Sequence, residues 1–313
     1  MLSRIADSLF WLNRYMERAD GILRVTKTHY ILSLDKGLNG NLTWRPVLEM
    51  FTQHNDEKIE LLENDTAAVL KELMIAADNN NSLKVILTRA RENARGVQDH
   101  ITKEVWEQVN QSYHAINQNA LQELLSGDEA MEVMESFSRQ TLLYTGVTDI
   151  TMPRGMGWSF MNLGKYVERC LETIVITDKQ FQQVGYNIDD TKDIMEWRYM
   201  LLALSGYELH LKTYRTTNYN YNVLHQALFN EDFTRSLVYS LTRIDKYLKD
   251  VVTEFNSPDH AALLRCFGRL RSKVQYMDID NLNSLTLQEF LEEVKHDLLY
   301  FSKLLGQGFF SYS

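Results

Sequence analysis

The stretch "SRIADSLFWLNRYMERADGILRVTKTHYILSL" at 3–34 decides the fold. Ile5, Leu9, Leu12, Met16, Ala19 and Leu23 step by four and three, the spacing that lines one face of an α-helix. No proline interrupts it, and Ser3 is suited to cap its start. One helix over Ser3–Leu34 is therefore predicted.

The pattern returns. "YMERAD" at 15–20 reappears as "YVERCL" at 166–171, and a shift of 151 lays Leu9, Leu12, Tyr15, Glu17 and Arg18 over Phe160, Leu163, Tyr166, Glu168 and Arg169. "WRPVLEMF" at 44–51 falls over "WRYMLLAL" at 197–204 at a shift of 153, and 68–90 over 222–244 at 154. Three segments in order, with so little drift, read as a tandem duplication. The expected organisation is a first helical repeat over 1–150 and a second over 154–313. "TGVTDITMPRGMG" at 145–157 reads as the connector, because Pro153, Gly155 and Gly157 break the periodicity.

Further helices are expected around Trp44 after the turn "KGLNGNLT" at 36–43, over 66–77, from Asn81 or Ser82 through "SLKVILTRARENARGVQDHITKEVWEQV" as one long helix, and over 129–144. The second half is expected to carry helices near 158–183, 190–213, 222–229, 235–254, 259–276 and 286–305, with "TYRTTNYNYN" at 213–222 as a loop. Only three prolines occur in 313 residues, so little punctuates these runs. The fold class is all-α, an antiparallel helical bundle built from two tandem repeats packed into one continuous unit.

The net charge of −9 argues against a phosphate-backbone binder, so no nucleic acid is expected as partner. Two cysteines, Cys170 and Cys266, form no CxxC, and Cys170 sits in an apolar stripe as a reduced thiol would. Arg4, Asp7, Arg14, Glu17 and Arg18 interrupt what a signal peptide would need as an apolar run, and no segment has the length of a membrane span. No membrane association is expected, and the expected location is the cytoplasm.

At ~100° per residue, Glu17 lies roughly 120° from the centre of the apolar stripe, with Arg18 near the opposite edge. Glu168 and Arg169 hold the same places. Adjacent residues do not face each other, so each charge must find a partner elsewhere. Arg14 and Lys165 stand three residues before the glutamates as candidate partners. One account makes the pairs interhelical locks that fix register. The other makes them a site, Arg holding a carboxylate or phosphate and Glu acting as acid, base or amine ligand.

"RARENAR" at 89–95 puts Arg91 and Arg95 on one face, with Glu92 within reach of Arg89 and Arg95. It reads as a solvated, ion-paired helix or as an anion-binding comb toward Glu17 or Arg18. Asn93 among these arginines points to a specific contact. Metal binding has little support: Glu293-x-x-His296 is a single ExxH where a di-iron bundle needs two, and HExxH is absent. No GxxxxGK[ST], GxGxxG or GxSxG occurs. No cofactor or metal is expected, and no catalytic residue can be assigned.

"MLSRIADSLFWLNRYMERAD", "TRARENARGVQDHITKEVWEQVN" and "GWSFMNLGKYVERC" together resemble the Alpha-E family, a bacterial all-helical group with a Glu-Arg motif, usually duplicated in tandem. The resemblance runs from Met1 to about Leu305 and places the motif on Glu17-Arg18 and Glu168-Arg169. Asn13 and Lys165 stand where the family usually has Gly and Arg. The resemblance implies a peptide synthesis or modification system, with a circularly permuted ATP-grasp ligase or a transglutaminase-like protein as partner, and a peptide as ligand. On this footing the expected role is a helical partner or substrate-presenting module, binding at the face lined by the Glu-Arg pairs. The rival expectations are an enzyme that uses those pairs as acid/base and carboxylate-binding sites, and a structural oligomeric module.

Overall fold

The helix expected over 3–34 is α1 (Ser3–Leu34), with those bounds. Ser3 lies inside its first turn, because the carbonyl of Leu2 already accepts from the Ala6 N–H at 3.2 Å. The computed structural model describes residues 2–34, 42–189, 193–255 and 260–310; the turn expected at 36–43 lies largely outside them. Among the described residues the chain is all-α, with no strand. No helix there is long and apolar enough to cross a membrane. The chain divides into two compact units, Trp11–Pro153, and Met1–Phe10 with Arg154–Ser313.

The unit Trp11–Pro153 holds the rest of α1, then α2 (Arg45–Phe51), α3 (Asp56–Leu62), α4 (Thr66–Met74), α5 (Leu83–Gly96), α6 (Lys103–Ile116), α7 (Leu121–Leu124) and α8 (Ala130–Thr151). Pro46 occupies the first turn of α2, where a missing N–H costs nothing. Arg45 ties α2 to the end of α3 through the Glu63 carboxylate at 2.7 Å. α5 packs on α6 and α6 on α8. A short hydrogen bond from the Tyr144 hydroxyl to Asn13, and one of 3.4 Å from Thr141 to Asp20, fasten α8 to α1.

The other unit holds α9 (Met156–Gln183), α10 (Ile194–Ala203), α11 (Tyr207–Thr213), α12 (Tyr219–Leu228), α13 (Leu237–Phe255), α14 (His260–Gln275) and α15 (Ser284–Phe309). α9, α13, α14 and α15 pack in a closed cycle, a four-helix arrangement. Phe160 of α9 meets Phe309 edge-on at 5.5 Å, and Phe10 meets Phe310 at 5.1 Å. Phe267 and Phe301 join α14 to α15 at 5.1 Å. Each such buried ring contributes about 1.5–3 kcal/mol through lost apolar exposure.

Four expectations about elements are corrected. The single long helix from 82 is two: α5 stops at Gly96, a 3₁₀ turn over Gln98–His100 follows, and the Thr102 hydroxyl accepts from Val105 N–H to start α6. The helix over 190–213 is α10 and α11, separated at Ser205, which has φ 56°, and Gly206. The connector is also shorter than 145–157, since α8 runs to Thr151 and α9 begins at Met156. In the same way "TYRTTNYNYN" is a loop only to Asn218, where α12 follows.

Candidate functional site

α1 and α9 carry the Glu-Arg pairs, and both are buried well beyond one stripe. On α1, Asn13, Thr26 and His29 are buried along with the leucines; on α9, Ser159, Asn162, Thr173 and Thr177 are. Glu17 is 6% exposed, Arg14 6%, Glu168 7% and Arg169 9%. Arg18 and Lys165 are half-buried. Buried charges persist only with partners, and none of these six side chains lacks one.

In each unit the motif arginine reaches the start of the neighbouring long helix. Arg18 Nη1 donates to Asn81 Oδ1 at 3.5 Å, just before Ser82, whose hydroxyl caps α5 through Val85 N–H. Arg169 Nη1 donates to the Thr234 carbonyl at 3.2 Å, just before Ser236, whose hydroxyl accepts from Tyr239 N–H at 3.0 Å. Thr173 adds a bond to the Arg235 carbonyl at 2.8 Å. The guanidinium therefore satisfies oxygen acceptors at a helix entrance and fixes where that helix begins.

A second contact recurs in the same fashion. Trp44 Nε1 donates to Thr66 Oγ1 at 3.1 Å, and Trp197 Nε1 to Asn220 Oδ1 at 2.9 Å. The His29 ring lies 4.3 Å from Trp44, and the Phe181 ring 4.7 Å from Trp197. Burial pushes the His29 imidazole down to about 4, against a hydrogen bond with the Thr43 backbone that raises it, so it is neutral at pH 7.

The surroundings of the two pairs differ. Beside the first, Arg14 lies over Trp11 at 4.5 Å and Arg18 over Tyr15 at 5.8 Å. Beside the second is a cluster of tyrosines and cations. Tyr166 stacks on Tyr247 at 6.1 Å and lies 6.4 Å from Tyr239, while Arg169 at 5.2 Å and Lys165 at 5.8 Å lie over Tyr166. Burial pushes the Tyr166 phenol up to about 12, the nearby Arg169 charge opposing it. Arg243 Nη2 donates to the Tyr239 hydroxyl at 2.8 Å. This cluster borders a groove of about 390 Å³ between α13 and α14, into which Arg243, Lys246, Arg271 and Tyr239 look. The sequence reading passed over these residues, although tyrosines at 239 and 247 with Arg243 and Lys246 on one α13 face were a readable signal.

"RARENAR" serves α5 and its packing on α6. Arg91 Nε donates to Asn110 Oδ1 at 2.7 Å, and its guanidinium lies over the Tyr113 ring at 4.4 Å, so it joins α5 to α6. Glu92 and Arg95 are exposed. Asn93 Nδ2 donates to the Arg89 carbonyl one turn back, which is the contact its presence pointed to. Cys170 is fully buried and Cys266 partly; burial pushes both thiols up, away from the reactive thiolate. Glu293 accepts from Lys273 at 3.0 Å. Among the described residues no three His, Cys, Asp or Glu side chains are grouped to hold a metal ion.

A helical framework in which α1 and α9 each carry a Glu-Arg pair with its glutamate buried defines an all-α protein with an ER motif. The chain belongs to the Alpha-E family, described as a predicted alpha-helical domain with a conserved ER motif, whose model matches residues 1–310. It is similar to "Uncharacterized protein Mb2597" of Mycobacterium bovis and "Uncharacterized protein MT2643" of Mycobacterium tuberculosis. Each is 25% identical over 273 residues, covering 79% of this chain and 30% of the relative. The chain thus spans about 30% of the length of these curated relatives. No solved structure matches it.

Proposed function

We propose that this protein is a helical partner, or substrate-presenting module, of a bacterial ATP-grasp or transglutaminase-type peptide synthesis or modification system, working in the cytoplasm. One observation carries the reading: the groups best suited to acid/base or nucleophilic work lie within the framework. The glutamates and Arg169 are all under a tenth exposed, and Arg169 is committed to a backbone carbonyl at a helix entrance. A catalytic acid or base has to come within hydrogen-bond reach of a reacting atom, and a motif placed in this way is suited to holding helices in register. The surface is then left for recognition. The link to ATP-grasp and transglutaminase-like proteins comes from the family's genomic company, which is association.

The test is direct binding between the purified chain and the circularly permuted ATP-grasp ligase, or the transglutaminase-like protein, of the same organism. Calorimetry should give a saturable complex of micromolar or tighter affinity with one of them, and ligase turnover should change on adding the chain. Absence of association with both, together with turnover of peptides by the chain alone that Glu168→Gln abolishes, would favour the enzyme reading instead.

A further inference from the structure

We propose that the groove between α13 and α14 binds an oxyanion, a carboxylate or a phosphate borne by a ligand whose remainder packs on Tyr239 and the aliphatic wall. The site does not depend on the identity of the partner proposed above.

Charge is the first ground. Arg243, Lys246 and Arg271 look into one groove of about 390 Å³, in a chain whose net charge is −9. Asp245, beside them, is already matched by Arg271 at 2.8 Å and Lys249 at 2.6 Å. That leaves Glu231 as the acidic side chain lining it. Among the described residues neither Arg243 nor Lys246 is ion-paired with a carboxylate, so their charges face the groove uncompensated.

Geometry is the second. Arg243 gives an Nη2 hydrogen to Tyr239 at 2.8 Å, and its guanidinium lies 5.0 Å over that ring. Tyr247, stacked on Tyr166, carries Lys246 at 5.5 Å over its face. These contacts orient the cations before any ligand arrives, and preorganised donors lose less entropy on binding. The Asp245–Arg271 bond spans α13 and α14 and fixes the groove's width. Val238 and Leu241 supply apolar lining. A volume of this size lies within the ~300–1,000 Å³ typical of small-ligand sites.

The third ground is a contrast within the chain. At the shift of 154 that matches 68–90 to 222–244, Arg243 corresponds to Arg89 and Tyr239 to Val85; carried along the same helix, Lys246 falls on Glu92 and Tyr247 on Asn93. Arg89 is turned back onto Asn80 at 2.6 Å, and Glu92 reverses the charge of Lys246. The groove's chemistry is thus special to α13, and is not a by-product of packing common to both halves.

The experiment titrates the full chain with three probes: inorganic phosphate, an acetylated tyrosyl-alanine dipeptide with a free carboxylate, and the same dipeptide amidated. Calorimetry and the NMR signals of arginine Nε–H groups report binding. The acid should bind about tenfold more tightly than the amide, the scale of one charge-assisted hydrogen bond. Lys246→Gln, on an exposed position that leaves the fold intact, should weaken the acid severalfold; Arg243→Gln should abolish binding, Arg243→Lys should restore part of it, and Arg89→Gln should change nothing. Phosphate binding with the same dependence on Lys246 would support the oxyanion site and identify phosphate as its source. Equal binding of acid and amide, an unchanged affinity in Lys246→Gln, or saturable binding of none of the three would overturn it.

Discussion

At Arg169 a guanidinium bonds a backbone carbonyl inside the fold, whereas its counterpart Arg18 reaches an asparagine side chain at 3.5 Å and is half-buried. Arg169→Ala should therefore cost about 1.5–3 kcal/mol, the range for a hydrogen bond to a charged group. Arg18→Ala should cost less than that, because a half-buried guanidinium is partly solvated. Urea midpoints at unchanged slope would measure both; equal losses would contradict the difference in burial. His29 makes a pH prediction. Its folded value of about 4 lies below its ordinary 6.5, so between those pH values the unfolded chain binds more protons. Stability should then be level with respect to this group above pH 7 and fall on acidification from 6.5 toward 4, by on the order of 3 kcal/mol. His210 and His225, also lowered by burial, act with the same sign. Removing the imidazole with His29→Phe should flatten that acid limb in melts recorded from pH 8 to 4, and an unaltered slope would mean His29 does not carry it.

Among the elements, the α10–α11 break shows how a glycine can be required by its neighbours. Gly206 has φ −109°, so backbone strain is not the reason. An added Cβ would collide with Gln226 Nε2 and stand 2.8 Å from Phe233 Cζ. Gln226 also donates to the Gly206 carbonyl at 2.7 Å and accepts at its Oε1 from the His210 ring side, so it has little room to move. Gly206→Ala should cost about 1–3 kcal/mol by overpacking. Gly146→Ala, mid-α8 with open space around it, should instead gain up to about 1 kcal/mol. Thermal melts of the two variants should move in opposite directions. The same scale explains what sequence periodicity could reach. α1 was legible to its last residue because apolar spacing runs unbroken through it. The stop at Gly96 was not, since the helical spacing resumes in α6 and the break depends on the Thr102 cap and on α5 packing against α6, which are tertiary facts.

Over the whole molecule, positions matched at shifts of 151 to 154 make like contacts: Arg18 and Arg169 each reach a helix entrance, and Trp44 and Trp197 donate to Thr66 and Asn220. An acid and a base three residues apart suggested a partly buried charge cluster, but the depth of burial was not readable. On a helical wheel Glu17 and Arg14 lie away from the apolar stripe, yet α1 is enclosed on more than one side and both are 6% exposed. The groove was legible only in part: its α13 cations share one helical face, but Arg271 comes from α14, whose pairing with α13 no spacing announces. If the Glu-Arg pairs hold the helical framework in place, denaturant unfolding of Glu17→Gln and Glu168→Gln, alone and combined, will register their loss. Each single change removes the charge of a buried carboxylate that has a partner in the fold and should cost roughly 3–5 kcal/mol if that partner is a buried cation, while the molecules still folded keep groove binding of the dipeptide acid. Variants as stable as the parent to within about 0.5 kcal/mol, the scatter of a neutral surface change, would show that the glutamates do not hold the helices.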